Sequence, residues 1–376
     1  MYSREQVKTI TDKIFNMSGT DSTEVNFSSS ERSGTRFANS SISANLVQYD
    51  QQLTITAHIG AKTGSANTRD FTDESLRQTM AEAQAAASAA ADRQNVPELL
   101  GAQTYIEVDA ALPSAKNFDP AARAKMVRTS IDISKKMGTV GSGYIPKMHR
   151  TDCQANSKGL FAFEEVAEAS FILTCRMPDG SGSGWAGTTG IKDISMIDPV
   201  EITEVASKKA VDSQNARALE PGRYTVILEP RANARFLSLV TGVFGGGGGA
   251  FMEGKKPGDK LFSDLFTLKS DIGNKVLRQT TMLNDNTPAA PVTWLDKGVL
   301  RNLSGGPNST DPKATVNMSL LMEGSDLSTA DMIKQTQRGL LVTFFWYIRG
   351  VDNATMLSTG MTRDGLFLIE NGEITR

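Results

Sequence analysis

At 376 residues, with 39% hydrophobic and 22% charged residues, the chain has the make-up of an ordinary globular protein with room for two or three domains. A formal net charge of −2 excludes a broad nucleic-acid-binding face, which needs clustered Lys and Arg to displace counterions from phosphates. Cys153 and Cys175 form no C-x-x-C pair and lie near no histidine at a metal-ligand spacing, which suits a reducing compartment.

The opening MYSREQVKTI lacks the basic-then-apolar pattern of a signal peptide. No run of about 18 apolar residues is available to span a bilayer, and the expected location is cytoplasmic. Ser3 and Gln6 make a capping box, and Val7, Ile10, Ile14 and Met17 form one stripe closed by Gly19, predicting an amphipathic helix. Val25 and Phe27, then Ile42, Ala44 and Leu46, then Leu53, Ile55, Ala57 and Ile59 alternate with polar residues. That alternation predicts three half-buried strands of an antiparallel meander. His58 falls with Thr54 and Thr56 on the polar side and reads as a solvated histidine, since no second histidine or cysteine is near. Phe71 and Leu76 staple the start of an alanine-rich helix from Asp73 to about Ala91. Residues 1–112 are therefore expected to form an α+β domain, an antiparallel sheet covered by helices.

Asp119 caps and Pro120 opens a helix that runs to Met137 and ends at Gly138. Met148–Gln154 and Leu160–Met177 follow as strands joined by the turn Asn156-Ser157-Lys158-Gly159. The two cysteines lie in these strands and read as small core residues. Glu164 and Glu165 alternate across a strand rather than converge, and read as solvated charge. The loop from Pro178 to Trp185 reads as a mobile hairpin tip or interface loop, because no helix N-terminus or basic cluster stands behind it to hold an anion. Asp198, Pro199 and Glu201 start another helix with Ile202, Val205 and Ala206 inward. These elements, residues 113–219, read as a middle α/β domain.

Residues 220–376 read as a largely β domain with one buried helix. Thr225–Leu228 is a strand, and Phe236, Leu237, Val240 and Phe244 then recur at helical spacing as one buried face. Five glycines, Gly245 to Gly249, follow. Gly249–Lys255 has the spacing of a phosphate-binding loop, but Lys256 stands where Ser or Thr must hold magnesium and Pro257-Gly258 where a helix must begin. Leu265–Leu268 is a short strand, Thr280–Pro291 and Asn302–Lys313 are loops, and Ser328 with Asp331 starts a short helix ending at Gly339. Leu340–Tyr347 is the most apolar strand and is expected to be central; Leu366–Ile369 runs into Asn371-Gly372, a type I′ hairpin signal. Only Glu373–Arg376 remain to pair with it, so the domain is expected to stop mid-sheet.

No metal set or catalytic triad is legible. The only histidines, His58 and His149, are far apart on separate strands, and no G-x-S-x-G elbow occurs.

Leu340–Arg349 (LLVTFFWYIR), Met361–Gly365 (MTRDG) and Leu366–Glu373 (LFLIENGE), with the GSGSGW loop and the order of the three regions, resemble the TldD/PmbA family over most of the chain. TldD-type members carry a His-Glu-x-x-x-His motif that binds zinc, with the glutamate as general base. The resemblance places those positions at Ser238, Leu239 and Val243, with Gly242 retained, so neither ligand nor base is present. It implies the PmbA (TldE) branch, with no catalytic residue and no metal in this chain, and zinc only in a TldD-type partner. The implied assembly is a cytoplasmic heterodimeric metallopeptidase acting on unfolded or modified peptides, including peptide maturation. A homodimer that binds peptides without cleaving them is the alternative. Gly182, Gly184, Trp185, Gly245, Gly246 and Gly247 are the expected peptide- or partner-facing residues. The family is also named for modulation of DNA gyrase, although this composition offers no DNA-contacting face.

Overall fold

The computed structural model describes residues 1–94, 98–242, 244, 249–304 and 319–375. Helix α1 (Arg4–Met17) starts at the capping box of Ser3 and Gln6 and buries Val7, Thr11 and Ile14. Strands β1 (Ser22–Ala38), β2 (Ser41–Ile59) and β3 (Lys62–Thr68) follow, then α2 (Asp73–Ala89), capped by Thr72. A short helix α3 (Pro113–Lys116) precedes α4 (Pro120–Lys136), whose Asp119 side chain accepts from the Ala122 amide. Strands β4 (Val140–Asn156), β5 (Phe161–Arg176) and β6 (Ser183–Ile191) and helix α5 (Pro199–Asp212) complete this part.

All six strands form one antiparallel sheet in the order β3-β2-β1-β4-β5-β6. β1 pairs with β4 along nearly its whole length, so the expected boundary between residues 112 and 113 falls inside a single sheet, and the middle region is antiparallel with the first. Long strands let that sheet carry two cores. Under α1 and α2 lie Val25, Phe27, Leu53, Ile55 and Cys153; under α4 and α5 lie Phe37, Ile145, Phe171, Leu173 and Cys175. The cysteines thus belong to separate cores and are free.

Several strand expectations need correcting. The second and third predicted strands are one, β2, and Ile42, Leu46, Val47 and Tyr49 on its first half are exposed. His58 is buried, with Nε2 2.7 Å from Glu24 Oε1 and Nδ1 3.4 Å from Thr63 Oγ1, rather than solvated. Glu164 and Glu165 are not free surface charge either. His149 Nε2 lies 2.8 Å from Glu165, and burial holds the His149 pKa below its ordinary value although the Glu165 contact opposes the shift. Glu164 points to the other face of β5, where burial pushes its pKa up to about 7. Asp152 adds to that rise, while Arg150 and the Met282 and Thr281 amides oppose it. On α5, Val205 is exposed and Thr203, Ala206, Ser207 and Ala210 face the sheet.

The last part opens with β7 (Thr225–Leu228), α6 (Pro230–Thr241) and a single turn α7 (Gly249–Met252). Strands β8 (Thr267–Ser270), β9 (Val292–Asp296), β10 (Val299–Leu300) and β11 (Leu320–Glu323) form one sheet in the order β10-β9-β8-β11. Leu265, expected in a strand, is 88% exposed just before it. Helix α8 (Thr329–Lys334) starts at the capping box of Ser328 and Asp331. Strands β12 (Arg338–Val342), β13 (Phe345–Asp352), β14 (Leu357–Thr362), β15 (Leu366–Glu370) and β16 (Glu373–Thr375) end the chain.

β12 lies between β15 and β7 in the sheet β16-β15-β12-β7, as its apolar sequence predicts. The strand breaks after Val342, however. Thr343 turns its amide and hydroxyl onto the Gly365 carbonyl, and Phe345–Tyr347 leave the sheet for an exposed two-stranded ribbon, β13-β14. β16 pairs with β15 through the Asn371-Gly372 turn, both residues at positive φ. No helix among the described residues is long and apolar enough to cross a membrane.

Candidate functional site

Helix α6 is where the site is built. Glu229 occupies its N-cap and Pro230 its first turn, a position whose missing amide costs the helix nothing. The Glu229 carboxylate does not cap the helix; it accepts from Lys209 Nζ on α5 at 2.6 Å, and the same ammonium donates to the Trp185 carbonyl at 3.1 Å. The helix is only half buried. Ala232, Val240 and Thr241 face the core, while Arg231, Ala234, Arg235, Phe236 and Ser238 are exposed, so Phe236 is not on the buried face expected for it.

The β13-β14 ribbon stands opposite that exposed face and encloses two adjoining cavities against it. An apolar one of about 540 Å³ is lined by Phe236, Leu239, Val240, Phe262 and Met356. A second, of about 650 Å³, is lined by Arg231, Arg235, Ser238, Trp346, Tyr347 and Arg349. Phe345 and Ile348 line both. Arg231 is held rather than free: its guanidinium lies 5.1 Å from the Phe344 ring centre and 5.5 Å from that of Trp185.

The residues in the implied motif positions do not fit zinc. Ser238 Oγ donates to the Arg235 carbonyl within the helix at 2.7 Å, Leu239 offers only hydrocarbon, and three arginines line the cavity that Ser238 borders. Zinc needs imidazole, thiolate or carboxylate donors, and among the described residues none lines either cavity. Val243, Gly245, Gly246 and Gly247 lie outside the described residues. Among the described residues, no group of three or more His, Cys, Asp or Glu is placed to hold a metal ion.

The glycines of the GSGSGW loop have a different role from the one expected. Gly182 and Gly184 are buried against α5: a Cβ on Gly182 would meet the Ala210 carbonyl oxygen at 2.0 Å, and one on Gly184 the Ala206 carbonyl oxygen at 2.3 Å. Trp185 is 8% exposed; its amide donates to the Asp364 carbonyl at 3.2 Å. The end of the loop, residues 182–185, is thus packed inside the chain, joining the large sheet to the last part, while its tip, residues 178–181, is exposed. Sequence reasoning missed Arg231, Arg235 and Arg349. The first two are spaced i, i+4 on one helical face, a signal that was readable; the third lies two residues past a segment expected to be core strand.

Residues 221–376, which contain α6 and both cavities, match the family described as the PmbA/TldA metallopeptidase C-terminal domain. The last part of the chain thus matches this family's C-terminal domain. No curated protein matches it by sequence. Three solved structures share this chain's fold along its length. A Thermotoga maritima protein titled as a modulator of a DNA gyrase superposes with a TM-score of 0.79 at 14% identity, covering 98% of this chain and 89% of that one. A Bacteroides thetaiotaomicron protein of similar title gives 0.77 at 17% identity, covering 100% and 89%. TldE from Thermococcus kodakarensis gives 0.74 at 18% identity, covering 98% and 88%.

Proposed function

We propose that this chain is a non-catalytic, PmbA/TldE-like subunit that pairs with a TldD-type zinc peptidase acting on unfolded or modified peptides in the cytoplasm. The observation that supports it is the chemistry of α6. The helix lies in a domain of a metallopeptidase family, yet with β13 it offers Ser238 and Leu239, a groove of rings and methyl groups, and three arginines, but among the described residues no donor for zinc and no general base. Such a surface binds; it does not hydrolyse. An extended peptide can lie along the groove between α6 and β13-β14 while the metal and the base are supplied by the partner chain. A homodimer that holds peptides without cleaving them is the competing reading.

Zinc analysis and peptide cleavage assays on this chain alone, on a TldD-type chain alone and on the two together test the proposal. The single chain is expected to carry no stoichiometric zinc and to cleave nothing, and the co-purified pair to cleave. Full cleavage by a TldD-type chain that never associates with this one would overturn it. A peptide-binding dimer of this chain without such a partner would establish the homodimer instead.

A further inference from the structure

The reading of α6 as a peptide-holding surface leaves the end of the peptide unassigned. The two cavities differ sharply in character. One is walled by Phe236, Leu239, Phe262 and Met356; the other carries the guanidinium groups of Arg231, Arg235 and Arg349 with no carboxylate in its lining. None of the three arginines has an ion-pair partner among the described residues: Arg231 is seated against two rings, and Arg235 reaches only Ser238 Oγ, at 3.4 Å. Solvated arginines normally have acidic neighbours on a surface with as many acids as this one, 42 against 40 basic residues. Three together in one concave site, beside aromatic rings that limit their hydration, make a receptor for a planar anion.

We infer that the arginine-lined cavity beside Ser238 takes the terminal carboxylate of an extended peptide, whose last side chain, an apolar one, enters the adjoining cavity. This rests on the proposed peptide-binding role and adds to it a direction and a preference. The shared walls Phe345 and Ile348 place the two cavities side by side, as the carboxylate and side chain of one residue require. Ser238, at the position where the TldD-type motif would have a histidine, borders the carboxylate cavity, and Leu239 borders the apolar one. The groove thereby holds a peptide end by charge and shape where a catalytic relative would hold metal.

Fluorescence anisotropy on the full chain tests this with four peptides labelled at the N-terminus. One ends in Leu with a free carboxylate, one is its C-terminal amide, one is the amide with an internal Glu, and one ends in Ser with a free carboxylate. The free-acid Leu peptide is expected to bind about tenfold more tightly than its amide, the worth of charge-assisted bonds to a carboxylate. R235Q and R349Q should each erase most of that ratio by weakening acid binding far more than amide binding; both residues are exposed, and thermal melts will report whether either variant unfolds. Ending in Ser should weaken binding severalfold. Equal binding of acid and amide, or a ratio that survives both substitutions, would overturn the inference while leaving the peptide-binding role intact. Equally tight binding of the internal Glu peptide would show a general anion site and overturn the terminal assignment. Absence of binding to all four would also overturn it, and the association and cleavage assays would then decide separately whether the partnered role stands.

Discussion

The indole of Trp185 stacks on the ring of Phe344, centroids 5.7 Å apart with 15° between planes, and the Arg231 guanidinium lies over both. Trp185 belongs to β6 of the large sheet, whereas Phe344 sits at the break between β12 and β13 and Arg231 on α6. One contact therefore fixes the carboxylate cavity relative to the rest of the chain. Trp185→Ala removes a nearly buried ring from that junction and is expected to cost about 3 kcal/mol of stability. Trp185→Phe should recover part of it. Urea denaturation of the three proteins checks the order; an alanine variant as stable as the parent would show that the stack carries no load.

Gly184 lets β6 lie directly on α5. A methyl group there would sit 2.3 Å from the Ala206 carbonyl oxygen and 2.5 Å from the Ala210 nitrogen, both backbone atoms that cannot rotate away. Gly184→Ala should therefore destabilise the chain by roughly 1–3 kcal/mol through overpacking. Gly180, with nothing within 4 Å of an added Cβ, lies at φ +77 and serves as the contrasting site, where an alanine meets backbone strain but no clash. Melting temperatures of the two variants separate the causes: a larger loss at Gly180 would overturn the close-packing account.

What was legible in the sequence, and what was not, follows from distance along the chain. Caps are local, so Ser3 with Gln6, Asp119 with Pro120 and Ser328 with Asp331 announced their helices correctly. β3, KTGSANT, has Ala66 as its one apolar side chain and no alternation to betray it; its pairing with β2 supplies what its side chains do not. On α6 the apolar residues divide between two destinations, Val240 to the core and Phe236 to a cavity wall, and periodicity alone treats both as buried. The carboxylate cavity needed Arg349 brought beside Arg231 and Arg235, which only the β13-β14 ribbon accomplishes. The GSGSGW glycines looked like flexibility because close approach and freedom of the backbone call for the same residue.

Glu164 gives the fold a pH dependence of definite sign. Its carboxyl is raised by burial from 4.5 to about 7, and Oε1 has no hydrogen-bond partner. Between those values the folded chain binds the proton that the unfolded chain has released, so this residue's contribution to stability is full below about 4.5 and is lost as pH rises through about 7. Glu164→Gln removes the titration. The stability of the variant relative to the parent is expected to improve by on the order of 2 kcal/mol between pH 4.5 and pH 8. Denaturation midpoints at several pH values check this; two parallel profiles would show that Glu164 is solvated in the folded chain.

The ion pair between Lys209 and Glu229 ties α5 to the start of α6, and its burial decides how it responds to substitution. The side chains are 11% and 19% exposed, with Nζ 2.6 Å from Oε2 and a further bond from the ammonium to the Trp185 carbonyl. Removing one partner strands a poorly solvated charge, so Lys209→Met and Glu229→Gln should each cost about 3 kcal/mol. In the double variant no charge is stranded, although the carbonyl of Trp185 still lacks its donor. The double variant should therefore be less destabilised than the sum of the two by at least 1 kcal/mol, roughly the coupling expected of directly bonded residues. Additive losses would mean that water reaches the pair freely. Because Glu229 is the N-cap of α6, the same variants should also weaken binding of free-acid peptides, through displacement of Arg231 rather than loss of its charge. Restored binding in the double variant would tie the geometry of the cavity to this pair.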